Sequence, residues 1–214
     1  MTEPGPSHAE PTIRTRVLGG AYPPGSRRRE LSDVPGVPRI PVREALARLT
    51  GEGPVVNSPR RGASVRNLSL RDVAALFDLR LRPEVFAARR AAESRAGGRG
   101  GERLRELMAA AEDATRRGDT DEIPAATAAL RAEIVALTGN RLLPDAPQPS
   151  PGPVQWLFTV TGGLDPRVRR AEHQDICAAI HAGGPDLADA LAHAHIGRGR
   201  GPSPAALAEV LPAE

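Results

Sequence analysis

The sequence predicts a mainly α-helical protein of two small domains, the first of which ends in a short β-hairpin. Hydrophobic residues make up 40% of the 214 residues but aromatic residues only 2%. A core must therefore consist of Leu, Val, Ile and Ala, which pack well between helices. Apolar residues also recur at helical spacing along most of the chain. The exception is a pair of short β-prone runs on either side of a basic turn, between residues 55 and 65.

The first elements are two or three short helices. Residues 1–9 are polar and rich in Pro and Gly, which predicts a disordered tail. A helix is predicted from Pro11 to Leu18, and the Pro- and Gly-rich text after it leaves room only for a short helix around residues 29–34. The next helix starts near Pro41, whose missing N–H is harmless in a first turn. One apolar stripe at i, i+3, i+4 and i+7 marks that helix: Val42, Ala45, Leu46 and Leu49.

A hairpin is predicted directly after this helix. Val55-Val56 and Ala63–Val65 flank a turn that carries Arg60 and Arg61. Three helices followed by a basic-tipped hairpin are the plan of a winged helix-turn-helix. In that plan the apolar stripe packs on the first helix, while the polar face of the third helix is free to enter a major groove of DNA.

The distribution of charge agrees with a polyanionic partner for this region. All 29 basic residues are Arg, and the net charge is +3. Residues 1–67 hold 11 Arg against 6 acidic residues, or +5, whereas the rest of the chain holds 18 against 20, or −2. A codon bias explains the use of Arg in place of Lys equally well, but it does not explain this asymmetry. A basic N-terminal third predicts binding to nucleic acid.

The remainder of the chain is predicted to be all-helical. Ser69 is a candidate N-cap for a long helix with Val73, Phe77, Leu81 and Val85 at steps of four. Pro83 falls inside this helix and should kink or split it. Four more helices are predicted at about 101–117, 122–138, 166–182 and 186–196.

The compartment follows from what the chain lacks. Cys177 is its one cysteine, which excludes an internal disulfide and favours a reducing compartment. The N-terminus has no apolar segment typical of a signal peptide, and no run approaches the ~18 apolar residues of a membrane span. We therefore expect a cytoplasmic protein with no membrane partner.

Over residues 12–197 the chain resembles the GntR transcriptional regulators, specifically their FadR/FCD branch. The motifs that carry the resemblance occur in the family's order and at nearly its spacing: "YPPGSR", "GVPRIPVREALARL", "EGPV", "PRRGASV", "LSLRDVAALFDLR", "AARRAA", "LTGN" and "EHQDICAAI". The resemblance implies a homodimeric repressor or activator that binds double-stranded operator DNA and a small carboxylate effector. The implied domains are a disordered tail (1–9), a winged helix-turn-helix DNA-binding domain (10–67), an FCD-like all-α helical-bundle domain for effector binding and dimerisation (69–197) and a flexible tail (198–214).

The resemblance also assigns DNA contacts. By position the family's DNA-binding residues correspond to Arg29, Arg39, Ile40, Pro41, Arg43 and Gly62. An Arg guanidinium can donate two hydrogen bonds to phosphate oxygens or to the O6/N7 edge of guanine. A glycine has no side chain, so it lets the backbone of a hairpin approach the duplex closely. One departure is Pro38, which stands where a Ser or Thr normally caps the recognition helix. The loss of such a cap costs roughly 1 kcal/mol.

A candidate effector site lies on the later helices. His173 and His195, one on each of the last two predicted helices, share faces with apolar residues and are predicted to point inward, while His193 faces the other way. The apolar neighbours are Ile176, Cys177 and Ile180 for His173, and Leu187 and Leu191 for His195. By resemblance these histidines match two of the family's metal ligands, and Arg80 matches a residue that faces its pocket. On the sequence alone Arg80 can equally be a solvated helix residue.

The other half of the family's metal site is missing. Thr127 and Arg131 occupy the positions of its Asp and His ligands, and two imidazoles are too few for a stable zinc site. The cofactor is therefore unassigned, and three interpretations stay open. A divalent metal binds to His173 and His195, or Arg131 pairs with a carboxylate of an effector or of Glu172 or Asp175, or both histidines are core residues that bond backbone carbonyls.

The leading function is a sequence-specific DNA-binding transcriptional regulator, predicted to be a repressor, whose operator affinity responds to a small acidic metabolite. An alternative is a degenerate relative that no longer binds an operator and acts through protein–protein interaction. A metal-dependent hydrolase using His173 and His195 is disfavoured, because no third ligand, general base or nucleophile accompanies them. The chain is therefore predicted not to be an enzyme.

Overall fold

The computed structural model describes residues 9–18, 21–22, 25–26, 30–31, 38–58, 62–98, 100–119, 122–143 and 165–200. These residues form two compact units, an N-terminal unit up to Arg71 and a C-terminal unit from Asp72. Within them are seven helices and one two-stranded sheet, which confirms the predicted fold class. None of the described helices has both the length and the apolar character needed to cross a bilayer.

The N-terminal unit has the predicted order of elements. Glu30 and Leu31 are also helical, while the rest of the predicted helix at 29–34 lies outside the described residues. The bounds of the elements are α1 at Ala9–Leu18, α2 at Arg39–Glu52, β1 at Val55–Ser58 and β2 at Gly62–Val65.

The apolar stripe of α2 forms the core of this unit, as predicted. Val42, Ala45, Leu46 and Leu49 are at most 3% exposed. They pack in one cluster with Ile13 and Val17 of α1, Leu31, and the two wing residues Val55 and Val65. Burial of a Leu or Val side chain stabilises a fold by about 1.5–3 kcal/mol, so this cluster fixes which face of α2 points outward.

The two ends of α2 are held differently. At its C-terminus Gly53 adopts a left-handed conformation (φ 99°), and its N–H donates to the carbonyls of Leu49 and Thr50. This conformation is easy only for glycine, so Gly53 ends the helix. At its N-terminus Pro38 takes the cap position in an extended conformation and makes no side-chain hydrogen bond. The predicted absence of a cap is therefore confirmed.

The wing is an antiparallel hairpin whose register pairs Val55 with Val65 and Ser58 with Gly62. The segment at Gly25 and Ser26 lies alongside β2, since the Gly25 N–H donates to the Val65 carbonyl and the Val65 N–H donates to the Ser26 carbonyl. These bonds tie the chain before the second predicted helix to the wing. The basic turn at residues 59–61 lies outside the described residues.

The C-terminal unit contains the other five helices. Their bounds are α3 at Leu70–Ala96, α4 at Glu102–Arg117, α5 at Glu122–Leu137, α6 at Pro166–His181 and α7 at Pro185–Gly199. The helix α4 packs against α5 and α6, and α6 packs against α7. Pro83 does not split α3, which is a single helix, so the expected break is wrong. A proline removes only one helical hydrogen bond, and long buried segments on both sides of Pro83 keep α3 continuous.

Small side chains dominate the core of this unit. Ala88, Ala91 and Ala92 of α3 are at most 2% exposed and pack with Leu104 of α4 and Ile180 of α6. Alanines let neighbouring backbones approach closely, so the core excludes water without aromatic rings. The Pro-rich segment at 144–153 and the residues from 201 onward lie outside the described part. Residues 198 and 199, placed in the predicted flexible tail, belong to α7.

Candidate functional site

The first candidate site is the outward face of α2. Arg39, Ile40 and Arg43 are exposed, and Ile40 is 63% exposed although it is apolar. Pro41 is half-buried. Within the described part of the chain, neither Arg39 nor Arg43 makes an ion pair or a side-chain hydrogen bond. Two unengaged guanidinium groups thus flank an exposed aliphatic side chain, opposite a fully buried stripe.

The remaining predicted DNA contacts are only partly described. Gly62 opens β2 with φ 74°, a left-handed conformation that favours glycine. It pairs with Ser58 at the end of the hairpin that carries the basic turn. Arg29 lies outside the described residues.

The second candidate site is a charged cluster inside the C-terminal unit. Four helices contribute to it: α3 carries Arg80 and Glu84, α5 carries Thr127 and Arg131, α6 carries Arg169, Glu172 and His173, and α7 carries His195 and Arg198. All four predicted effector residues therefore belong to one neighbourhood. Glu84 and Arg169 were not predicted.

Arg80 and Glu84 form the best-made ion pair of the cluster. Arg80 Nε donates to Glu84 Oε1 at 2.7 Å and an Nη donates to Oε2 at 3.2 Å. Arg80 is only 2% exposed and its guanidinium carbon lies 5.3 Å from the centroid of the Phe77 ring. The alternative that Arg80 is a solvated residue is therefore wrong. Burial alone would raise the pKa of Glu84, but Arg131 and Arg80 outweigh it and lower that pKa below its ordinary value.

The positive charge of Arg131 is only partly compensated by a carboxylate within the described residues. Its Nε lies 3.7 Å from Glu84 Oε2, beyond hydrogen-bond distance. This buried Nε has no acceptor within the described residues. Burial is the main cause that lowers the pKa of Arg131 to about 10, and Arg80 and Arg169 add to it while Glu84 opposes it. The expected protein partners Glu172 and Asp175 are wrong, because the carboxylate nearest to Arg131 is that of Glu84.

Glu172 is engaged elsewhere. The buried His195 Nδ1 and Glu172 Oε2 lie 2.6 Å apart, and Arg198 Nε donates to Oε1 of the same carboxylate. The interpretation that His195 bonds a backbone carbonyl is therefore wrong for this nitrogen. The rings of His173 and His195 lie 4.6 Å apart between centroids, tilted by 52°. His193 is exposed, as predicted.

The apolar line predicted beside His195 is only partly buried. Leu187 is 58% exposed, whereas Leu191 packs against the core. The neighbours predicted for His173 are all buried: Ile176, Cys177 and Ile180. Burial also raises the pKa of the Cys177 thiol to about 12, so this cysteine is a core residue and not a reactive thiolate.

A divalent metal does not fit these residues. The Thr127 hydroxyl donates to a carbonyl of its own helix, and Arg131 adds a positive charge where a ligand would stand. Among the residues that the structure describes, no group of three or more His, Cys, Asp or Glu side chains is arranged to hold a metal ion.

A narrow cleft opens beside the cluster. Its volume is about 20 Å³, enough for roughly one water molecule or one oxygen of an anionic group. Thr127, Arg169 and His173 contribute polar atoms to its walls, and Met108 and Ile123 contribute apolar surface. A larger molecule can place only its head group here unless the walls move.

The stability of the C-terminal unit is expected to fall as the pH drops from about 7.5 to about 5.5. The pKa of His173 lies well below its ordinary value of 6.5, because burial, then His195, then three guanidinium groups oppose a positive charge. The unfolded chain therefore binds a proton that the folded chain does not, and stability is lost as the pH falls through 6.5. Each such histidine contributes up to about 1.4 kcal/mol per pH unit. Urea unfolding at a series of pH values measures this slope.

Two variants test the origin of this slope. His173→Gln should flatten it, whereas the exposed His193→Gln should leave it unchanged. Equal slopes in the wild type and in His173→Gln would refute the assignment. The titration of Glu84 does not interfere, because its pKa is lowered from an ordinary value of 4.5, below this pH window.

The two units together define a class of protein, a transcription regulator with a winged helix-turn-helix and a helical ligand-binding domain. Comparison with protein families agrees: residues 7–65 match the bacterial regulatory proteins of the gntR family, and residues 75–198 match the FCD domain. The chain belongs to the GntR family of transcriptional regulators, in its FCD branch. Because this is a family of regulators, the prediction that the chain is not an enzyme is confirmed.

Solved structures show the same fold. A GntR transcriptional regulator from Rhodococcus sp. RHA1 superposes with a TM-score of 0.66 at 18% identity, over 91% of this chain and 95% of that one. McbR/YncC from E. coli gives a TM-score of 0.62 at 20% identity, over 90% and 93%. Lar of Listeria monocytogenes, which controls expression of the agr system, gives a TM-score of 0.55 at 16% identity, over 94% of this chain and 96% of that one. No curated protein matches the chain in sequence.

Proposed function

We propose that this GntR-family regulator acts as a cytoplasmic homodimeric repressor whose affinity for its operator changes when a small acidic metabolite binds to the C-terminal domain. The observation that carries the DNA-binding half is the face of α2. Arg39, Ile40 and Arg43 stand exposed on the side opposite the buried stripe, and the two guanidinium groups have no hydrogen-bond or ion-pair partner among the described residues. A basic face of this kind, next to a hairpin wing, suits insertion into a major groove.

The three side chains suit different parts of a duplex. A guanidinium of Arg39 or Arg43 can bond the O6/N7 edge of a guanine in two places, or bind phosphate oxygens. Ile40 can contact a thymine methyl group, which accounts for an aliphatic side chain left 63% exposed. Pro41 lies in the first turn of α2. Gly62 lets the wing approach the DNA backbone, and Arg29 is assigned to the duplex by its family position alone.

The charged cluster supports the effector half of the proposal. Arg80, Arg131, His173 and His195 come from four different helices, and Arg169 joins them from the helix of His173. A ligand that contacts several of these helices can change their relative positions, which is what an effector of a two-domain regulator must do. The excess of guanidinium groups favours an acid over a neutral or cationic metabolite.

Replacing Arg43 by alanine is expected to weaken operator binding by about 1–3 kcal/mol, or roughly 5- to 150-fold, if the side chain reads a base. If it binds a phosphate, affinity should fall uniformly across sequences and the slope of log K against log salt should decrease by about 1. Fluorescence anisotropy with DNA from the protein's own promoter, titrated at several salt concentrations, distinguishes the two cases.

The matched control is Arg103→Ala, which removes an exposed guanidinium on α4 that pairs with Glu106 at 2.9 Å. Its operator affinity should equal that of the wild type. Wild-type binding that ignores salt, or that prefers the promoter no more than random duplex, would contradict operator recognition and favour the non-operator-binding alternative.

A further inference from the structure

Among the described residues, the charged cluster in the C-terminal unit holds more guanidinium groups than carboxylates. Three guanidinium groups, those of Arg80, Arg131 and Arg169, act on His173. Two carboxylates act on these groups, Glu84 and Glu172. The pKa values of both histidines are lowered, chiefly by burial, so at neutral pH neither imidazole carries a charge.

Neither carboxylate accepts a hydrogen bond from Arg131 Nε. Arg80 already bonds both oxygens of Glu84, at 2.7 and 3.2 Å. His195 and Arg198 occupy the two oxygens of Glu172. Arg131 therefore keeps a buried Nε without an acceptor and a carboxylate only at 3.7 Å. An unsatisfied buried donor of this kind destabilises a fold, and more so when it is charged.

An ordinary structural role would remove this cost with one more acid in the cluster. Instead Thr127, one helical turn before Arg131, offers a hydroxyl whose hydrogen is already donated to the Ile123 carbonyl at 2.9 Å. The cleft beside it, lined by Thr127, Arg169 and His173, has room for about one anionic oxygen. Arg131 does not line this cleft, but its charge acts on His173 and the charge of Arg169 acts on Arg131, so Arg131 lies near an opening that an anionic group can enter.

We propose that the GntR-family effector site of this chain binds an acidic group directly, without a metal, with Arg169 and His173 as the donors that line the cleft and Arg131 as an adjacent positive charge. The ligand is a small carboxylate; a phosphate shares the same oxygen chemistry and is separated from it by the experiment. This inference rests on the proposed function, because it names how the effector of that function is held. Arg80 and Glu84 position Arg131 and are not themselves contacts.

The test uses the full-length protein and no DNA. Thermal unfolding is followed with sodium succinate, inorganic phosphate and the neutral analogue succinamide, each with EDTA and with zinc chloride. Succinate should raise the melting temperature of the C-terminal unit equally with and without EDTA, and succinamide should not. A larger rise in melting temperature with phosphate would indicate that the site binds phosphate esters and would refute a carboxylate ligand. A response that disappears with EDTA, or stoichiometric zinc in the purified protein, would overturn metal-free binding.

Variants separate a binding role from a structural one. Arg131→Gln should weaken succinate binding roughly tenfold or more, while its melting temperature without ligand stays equal or rises, because a guanidinium whose buried Nε has no acceptor among the described residues is removed. Arg169→Gln should weaken binding similarly, and Arg105→Gln, on the exposed face of α4, should not. If Arg131→Gln melts lower and no acid stabilises the wild type, the cluster is structural and the inference fails.

A titration with operator DNA distinguishes failure of the anion site from failure of the proposed function. Succinate binding without any change in operator affinity would retain the anion site and refute its regulatory role. Sequence-specific operator binding with no acid bound would retain the DNA-binding role and refute the anion site.

Discussion

Replacing Glu84 by glutamine is expected to destabilise the C-terminal unit by about 3 kcal/mol. Glu84 is the only carboxylate shown to pair with Arg80 within the described residues, and Arg80 is 2% exposed. Glutamine keeps the shape and one acceptor but removes the charge, which leaves a buried guanidinium uncompensated. The value lies at the lower end for buried pairs because Glu84 retains 23% exposure. Urea unfolding followed by circular dichroism measures the change.

The matched control for this prediction is Glu106→Gln. Glu106 pairs with Arg103 at 2.9 Å on the surface of α4, where both side chains are more than 60% exposed. Removing its charge should cost at most about 1 kcal/mol. Equal effects of the two substitutions would show that burial of Arg80 does not govern the energy of its pair.

Replacing Leu49 by alanine is expected to cost the N-terminal unit about 2–5 kcal/mol. Leu49 is fully buried at the centre of the cluster that joins α1, α2 and the wing. A small unit has little stability to lose, so this cost should leave a large fraction of it unfolded and abolish operator binding. Hydrogen exchange resolved by peptide should show lost protection in α1, α2 and the hairpin.

The C-terminal unit serves as the internal control in the same hydrogen-exchange measurement. The C-terminal unit has a separate core and should keep its protection in the Leu49→Ala protein. Leu187→Ala, at a site that is 58% exposed, should change the stability of neither unit by more than about 0.5 kcal/mol. Loss of protection throughout the Leu49→Ala protein would contradict two independently stabilised units.

Elements with one strong periodic signal were predictable. The α2 stripe needed only the spacing of Val42, Ala45, Leu46 and Leu49, because a helix with one apolar face has one way to bury it. The hairpin followed from two β-prone runs and a short turn. The continuity of α3 through Pro83 was not predictable, because the packing that compensates a lost hydrogen bond comes from other helices.

The burial of Arg80 shows why the effector site was harder to predict. A line drawn through Val73, Phe77, Leu81 and Val85 advances four residues at a time and drifts about 40° per step around the helix. The residues that α3 buries follow the true period and include Arg80. The signal was present, since Glu84 stands at i+4 from Arg80 and an ion pair on an apolar face is unusual. The partner of Arg131 depends on distances between helices, which no local pattern contains.

Two proline rings restrict the backbone at the start of α2, where no side-chain hydrogen bond caps the helix. The rings of Pro38 and Pro41 fix φ on both sides of Arg39 and Ile40, so the unfolded chain has fewer conformations to lose there. Pro41 also brings no N–H that would need an acceptor. The backbone that carries the proposed DNA contacts Arg39 and Ile40 therefore has few conformations open to it before binding. Less conformational entropy remains to be lost when a partner binds.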